Sequence, residues 1–169
     1  MDGVDLAALL FRTTLGGVML AHGWNHLFGP GGVDGTARWF GSMGLRPPRV
    51  HALASGSIEL ASGAALLLGL LTTLSCAAVI GVMTVAFVTA HRRNGFFIFR
   101  PGQGWEYVAV LAVVTAALGA LGPGEVSVDQ LLGFADELDG ALGLLVSAGL
   151  GLAGAAVLLA VAWRPDPPA

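Results

Sequence analysis

Charge is scarce in this sequence. Of its 169 residues only 11% are charged, whereas an ordinary soluble domain has about 25%. A soluble fold of this length needs more polar surface than that to cover its core, which excludes a typical cytosolic or secreted enzyme. Hydrophobic residues make up 55% of the chain, and its mean hydropathy is +0.78. Both values indicate an integral membrane protein.

Cysteine is nearly absent and lysine is wholly absent. The single cysteine, Cys76, excludes an internal disulfide framework, a CxxC redox pair and a cysteine-built zinc site. All eight basic residues are arginine, and the net charge is −3. Because no run of basic residues occurs, a nucleic-acid-binding role is also excluded.

Five apolar stretches are long enough to cross a bilayer, whose hydrocarbon core takes roughly 20 helical residues. They cover residues 6–28, 50–71, 74–90, 105–121 and 140–163. We therefore expect an all-α fold, a polytopic membrane helix bundle in which 1–169 form a single domain. Two shorter segments, 32–45 and 126–139, mix apolar with polar residues and predict surface-lying interfacial helices. The acidic start of the chain is unlike a signal peptide, so we expect the first helix to be retained.

Charges separate by side when these five spans alternate in direction. One side carries only acidic residues. The other side carries seven arginines, namely Arg38, Arg46, Arg49, Arg92, Arg93, Arg100 and Arg164. Arginine-rich loops face the cytoplasm. The pattern therefore predicts a multi-pass protein of a bacterial plasma membrane with its N-terminus outside and its C-terminus inside.

Small residues recur every four positions in two of the predicted spans. The two sets are Ser57, Ala61, Ala65 and Gly69 in the second span, and Gly143, Ser147, Gly151 and Ala155 in the last. Such faces let helix backbones approach closely. They predict packing inside one bundle or, alternatively, contact with another subunit or a second copy, for which the last helix is the better candidate.

Two ionisable residues lie well inside the predicted spans, where charge is costly. Arg12 is in the first span and Glu59 is near the middle of the second. Their depths are similar, so we predict that they pair. Such a pair has two interpretations: it fixes how the helices dock, or it forms one wall of a ligand or proton site.

All four histidines, His22, His26, His51 and His91, are predicted to lie near the arginine-bearing surface, at the level of Trp105 and Glu106. Three uses of this cluster stay open. It relays protons or donates hydrogen bonds to a quinone, because imidazole titrates near neutral pH. It binds a metal or haem through His22, His26 or His91, although its HxxxH spacing lacks the glutamate of HExxH. Or it binds nothing.

Several short motifs, in order over residues 6–132, resemble the DoxX family of membrane proteins. In the first span these are Arg12, Gly16-Gly17 and the run His22-Gly23-Trp24-Asn25-His26-Leu27-Phe28-Gly29. Further along they are Trp39-Phe40, Gly44-Leu45, Ser57-Ile58-Glu59-Leu60, Leu68-Gly69-Leu70-Leu71-Thr72, Asn94-Gly95-Phe96-Phe97, Gly104-Trp105-Glu106-Tyr107 and Leu121-Gly122-Pro123-Gly124 with Ser127 and Asp129. The sequence departs from the family at His26, where the family pattern usually has a lysine.

The resemblance implies a four-helix core to which the fifth, C-terminal transmembrane helix is an addition. It also implies a functional core of Arg12, His22, Glu59, Trp105 and Glu106, with His26 beside them as a further candidate. DoxX-like and DoxD-like proteins are linked to quinone-coupled sulfur oxidation. In mycobacteria they are linked to an oxidoreductase complex that joins a superoxide dismutase and a thiosulfate sulfurtransferase under thiol stress. An all-arginine basic set would suit an actinobacterium.

We therefore expect an auxiliary subunit of a membrane redox complex that holds a quinone or a lipid between its helices. Membrane lipids and other protein subunits are its expected partners. Two alternatives remain: a non-catalytic scaffold that recruits partners, and a quinone-reducing oxidoreductase in its own right. The lack of a cysteine pair counts against the last.

Overall fold

The computed structural model describes residues 1–135 and 138–165, which form seven α-helices. These are α1 (Gly3–Phe28), α2 (Gly32–Ser42), α3 (Pro48–Leu68), α4 (Thr72–Ala86), α5 (Glu106–Leu121), α6 (Val128–Leu131) and α7 (Gly140–Ala162). A π-helical segment, Phe87–His91, continues α4. The expected all-α membrane bundle is confirmed.

Four of these helices are long and apolar enough to cross a membrane. They are α1, α3, α7 and the 20-residue helix formed by α4 with its π-helical segment. The fifth predicted span, α5, has 16 residues and a length of about 24 Å. It still joins the two ends of the bundle. The backbone N–H of Glu106 at its start bonds Phe96 at the arginine-bearing end, and Gly124 beyond it lies against Asp5 and Ala8 of α1.

Two pairs of glycines bring α1 and α3 into close, antiparallel contact. A Cβ on Gly16 would lie 2.8 Å from the carbonyl oxygen of Gly63, and a Cβ on Gly23 would lie 2.7 Å from that of Gly56. The predicted packing stripe of α3 is therefore wrong, because its first two residues, Ser57 and Ala61, are exposed. The face that packs is displaced from that stripe by one residue, or about 100° of helix rotation.

The small residues of α7 do pack within the bundle. Gly143, Ser147, Gly151 and Ala155 are all buried. A Cβ on Gly151 would lie 2.7 Å from the carbonyl oxygen of Ala77 in α4. The stripe is therefore covered inside the chain, as the first of the two predictions has it.

The two predicted interfacial segments differ in outcome. Helix α2 forms as expected and lies near the end of α7, where Trp163 Nε1 donates to the carbonyl oxygen of Met43 at 2.9 Å. In the 126–139 segment the described helix is only Val128–Leu131, because Gly133, at φ +78°, turns the chain away. Residues 136–137 of that prediction lie outside the described residues.

Candidate functional site

A cavity of about 850 Å³ lies between the helices toward the arginine-bearing end of the bundle. Most of its wall is apolar and comes from α4, α7 and the aromatic residues of α2. Its polar lining includes Glu59, Ser55, Tyr107 and all four histidines, His22, His26, His51 and His91. The histidines that the spans placed at one level therefore converge on one cavity.

The deepest polar group of the cavity is the carboxylate of Glu59, which is only 2% exposed. Ser55 Oγ donates a hydrogen bond to Glu59 Oε1 at 2.7 Å. The other oxygen, Oε2, lies 3.6 Å from His26 Nε2, which is too long for a hydrogen bond. Within the described residues Oε2 has no hydrogen-bond partner. A buried polar atom without a partner is costly, so this oxygen is suited to a ligand that donates to it or shares its proton.

A second polar pair, His22 and Tyr107, lies beside the first. His22 Nε2 and Tyr107 Oη are hydrogen-bonded at 3.2 Å, and their rings stack with centroids 5.9 Å apart. His22 and His26 are four residues apart on one face of α1, which directs both rings to the cavity. Tyr107 was not predicted as a site residue. It is the chain's only tyrosine and stands at the start of an apolar helix, which is the signal that could have identified it.

The remaining two histidines line the cavity and form hydrogen bonds with backbone carbonyl oxygens. His51 Nε2 donates to the carbonyl oxygen of Arg46 at 3.1 Å, and His91 Nδ1 donates to that of Gln103 at 2.8 Å. His91 ends the π-helical segment, which widens the helix by one residue per turn. Such segments are frequent at functional sites.

Aromatic side chains of α2 cover the His26 ring. Trp39 stacks on it with centroids 6.1 Å apart, and Phe40 meets it edge-on at 5.6 Å. Because these contacts restrict the ring, His26 is held facing Glu59.

Trp105 and Glu106 lie outside the cavity lining. The Trp105 ring packs edge-on against Phe96 and Phe87, with centroids 4.7 and 6.0 Å away. Glu106 Oε2 accepts a hydrogen bond from the backbone N–H of Ile98 at 3.2 Å. Both residues order the loop between α4 and α5.

Arg12 does not pair with Glu59, and that prediction is wrong. Its guanidinium donates to the carbonyl oxygen of Val126, and Asp129 is the carboxylate that acts on it electrostatically. The helix register explains the error. Gly16 faces Gly63, so Arg12 is level with position 67 of α3, eight residues from Glu59 and about 12 Å along the axis. Arg12 and Glu59 have similar positions within their predicted spans, but the register of the two helices separates them along the bundle axis.

The end of the bundle around Arg12 is held by Asp129, which is 5% exposed. Its two carboxylate oxygens accept hydrogen bonds from the backbone N–H groups of Leu71 and Thr72, at 2.7 and 2.8 Å. Its own N–H donates to the carbonyl oxygen of Gly69 at 2.8 Å. These contacts cap the start of α4 from a distant part of the chain.

The histidines and acids do not form a metal-ligand set in the part of the chain that the structure describes. No three His, Cys, Asp or Glu side chains among those residues are grouped so that they could hold a metal ion. The expected metal alternative through His22, His26 and His91 therefore has no ligand set there.

The long apolar helices and the internal cavity with a polar end define a polytopic membrane protein of all-α architecture. The family model DoxX matches residues 7–92, half of the chain. The chain therefore belongs to the DoxX family, and the match covers α1 to α4 with Arg12, His22, His26 and Glu59, but neither Trp105 nor Glu106. No curated protein and no solved structure matches the chain.

Proposed function

We propose that this protein binds a quinone-class ligand in its cavity and serves as an accessory subunit of a membrane redox complex. The observation that carries the proposal is the unpartnered Oε2 of Glu59, buried in the wall of a cavity of about 850 Å³. Small-molecule sites have this character: a mostly apolar space of about 300–1,000 Å³ with a few convergent polar groups.

The residues of the cavity suit the two parts of such a ligand. An isoprenoid or alkyl tail needs the apolar walls that α4 and α7 supply. A quinone ring carries two carbonyl oxygens that accept hydrogen bonds. His22 and Tyr107 line the cavity, and because one of them donates to the other, the pair has one N–H or O–H left to donate to such an oxygen. The reduced ring carries hydroxyl groups instead, and for these Glu59 Oε2 is an acceptor.

When bound, a quinone supplies two-electron chemistry coupled to protons. In this chain His26 and Glu59 would hold the protons, because their polar atoms are 3.6 Å apart and both line the cavity. His26, which stands in place of the family's usual lysine, has an imidazole ring that can both donate and accept a proton. The ring contacts with Trp39 and Phe40 keep His26 oriented toward the carboxylate.

The accessory role follows from the thiol content of the chain. Cys76 is its one cysteine and is fully buried in α4. A dithiol centre needs two cysteines, so we assign the electron donor to a partner subunit. On this proposal the protein supplies the quinone and proton site in the membrane.

The proposal is tested by titrating the purified protein in detergent with a short-chain ubiquinol analogue, kept reduced so that its hydroxyl groups can donate to Glu59, and following tryptophan quenching. Glu59→Gln keeps the size of the side chain but removes its charge. We expect it to weaken binding by about tenfold or more, the value of one hydrogen bond to a charged group. Glu106→Gln is the matched control, because this carboxylate lies at the same end of the bundle outside the cavity lining, and we expect unchanged binding.

Three results would count against this function. Equal affinity of both variants and the wild type, or no saturable binding at all, would favour a scaffold that recruits partners. Quinone reduction by the purified chain with a dithiol donor would make it an oxidoreductase in its own right.

A further inference from the structure

A second, smaller pocket of about 300 Å³ lies where the ends of α2, α4 and α7 meet. Arg92 and Arg93 line it, together with Trp163. It lies next to the large cavity, with which it shares the wall residues Met43, Thr89 and Ala90. Among the described residues its lining contains two positive charges and no acidic residue, so it is suited to an anion.

The two arginines are not neutralised by the described chain. Within residues 1–135 and 138–165, neither guanidinium forms an ion pair or donates a hydrogen bond. Arg49, by contrast, pairs with Asp34, and Arg164 donates to the carbonyl oxygen of Ala160 at 3.0 Å. The Arg92 guanidinium stacks over the Trp163 ring, with its central carbon 5.2 Å from the ring centroid. This contact fixes the orientation of the guanidinium plane and does not use the guanidinium N–H groups.

The other polar side chains of the pocket already donate elsewhere. Ser42 and Thr89 donate to the carbonyl oxygens of Trp39 and Val85, at 2.7 and 2.8 Å. Asn94 Nδ2 donates to backbone carbonyl oxygens around it. The free donors of the pocket are therefore the two guanidinium groups, which match the oxygens of a phosphate in geometry and charge.

The depth of the pocket identifies the source of the phosphate. The 20-residue apolar helix ends at His91, and α7 ends at Ala162. The residues that immediately follow these helix ends are Arg92, Arg93 and Trp163. Arginine and tryptophan at the ends of transmembrane helices lie at the level of the lipid headgroups. Basic pockets between transmembrane helices at this level bind anionic headgroups.

We propose that Arg92 and Arg93, with Trp163, form a binding site for the phosphate of an anionic phospholipid. The site is separate from the quinone cavity and does not depend on it. The lipid phosphodiester would accept hydrogen bonds from both guanidinium groups, while its acyl chains extend along the apolar surface of the bundle.

Native mass spectrometry of the delipidated protein tests this site by titration with phosphatidylglycerol and, separately, phosphatidylcholine. An arginine near the membrane surface contributes about fivefold to the binding of anionic lipid, so two contribute about 25-fold. We expect the wild type to prefer phosphatidylglycerol by about that factor, and R92Q/R93Q to lose the preference. R38Q/R100Q is the matched control, because it removes two arginines from the same end outside the pocket, and it should keep the preference.

Other outcomes overturn the proposal. Equal affinity of the wild type for both lipids would do so, as would an undiminished preference in R92Q/R93Q. Release of phosphatidylglycerol by millimolar inorganic phosphate would show a site for soluble phosphate, and a bound polypeptide lost from R92Q/R93Q would show a protein site. If the double variant does not fold, R93Q replaces it with an expected loss of about fivefold, because Arg93 makes no polar side-chain contact in the described chain.

Discussion

At the scale of single residues, the buried groups Glu59 and Arg12 have different surroundings and different roles in the bundle. Glu59 lies in the cavity wall with one oxygen unpartnered, while Arg12 lies at the other end of the bundle and donates to the Val126 carbonyl oxygen. Asp129 is the carboxylate that acts on Arg12 electrostatically, while its own oxygens accept from the backbone N–H groups of Leu71 and Thr72. Buried charge therefore lines a cavity at one end of the bundle and contacts the backbone of a distant segment at the other.

Asp129, which lies in α6, is expected to matter more for stability than Asp139, which precedes α7 at the same end of the bundle. Asp129→Ala removes the acceptor of two backbone N–H groups, at Leu71 and Thr72, and leaves them unpaired. We expect a loss of about 1–3 kcal/mol in the free energy of unfolding. Reversible unfolding in mixed micelles measures it.

Asp139→Ala is the matched control for Asp129→Ala. Asp139 precedes α7, is exposed and makes no capping hydrogen bond with its side chain. Its replacement should change the free energy of unfolding by less than about 0.5 kcal/mol. Equal losses in the two variants would contradict the role given to Asp129.

At the scale of helices, the glycines at which α1 meets α3 set the register of the bundle. Gly16 and Gly23 are seven residues apart, as are Gly56 and Gly63. At Gly16, Gly23 and Gly63 a Cβ would stand within 3 Å of the partner glycine's carbonyl oxygen, because the nearest of these distances are 2.8, 2.7 and 2.9 Å. At Gly56 a Cβ would meet the Leu27 side chain at 2.6 Å. This packing places His26 of α1 level with position 53 of α3, close enough to Glu59 that His26 Nε2 lies 3.6 Å from Glu59 Oε2.

Two adjacent glycines of α1 test this packing. Gly16→Ala would put a methyl group 2.8 Å from the Gly63 carbonyl oxygen, so the helices must separate. We expect a loss of about 1–3 kcal/mol in the free energy of unfolding. Gly17→Ala meets nothing within 4 Å and should be neutral or stabilising by up to about 1 kcal/mol, because alanine is the better helix former. A larger loss in the free energy of unfolding for Gly17→Ala than for Gly16→Ala would contradict this packing.

The helices themselves were predictable, and their rotation and register were not. Hydropathy located α1, α3, α4 and α7 because a span must be apolar along its whole length, and alternation then brought the four histidines together. The same signal carries no information on which face of α3 packs, since most of that helix is apolar or small. Hydropathy does not fix the register of α1 against α3 either, and the Arg12–Glu59 prediction failed because of that register. The role of Asp129 was missed because it depends on a contact between distant segments.

At the scale of the whole molecule, the two ends of the bundle have opposite charge character. Arg92 and Trp163 meet at one end, and the Met1 amino group pairs with Glu125 at 2.7 Å at the other. Seven of the eight arginines belong to the first end, and the positive-inside rule counts arginine and lysine rather than net charge. We therefore predict that the arginine-bearing end, with the mouths of both pockets, faces the cytoplasm.

Thiol labelling decides this orientation. In a Cys76→Ala background, Phe99→Cys and Leu131→Cys place single thiols at opposite ends, at positions whose native side chains are 80% and 84% exposed. A membrane-impermeant maleimide should label position 131 in intact spheroplasts and position 99 only after lysis, while both react in detergent. The reverse pattern would place the arginines outside, where the quinone cavity would exchange its protons with the exterior. The same result at both positions, whether labelled in intact spheroplasts or only after lysis, would mean that α5, at 16 residues, does not cross the membrane.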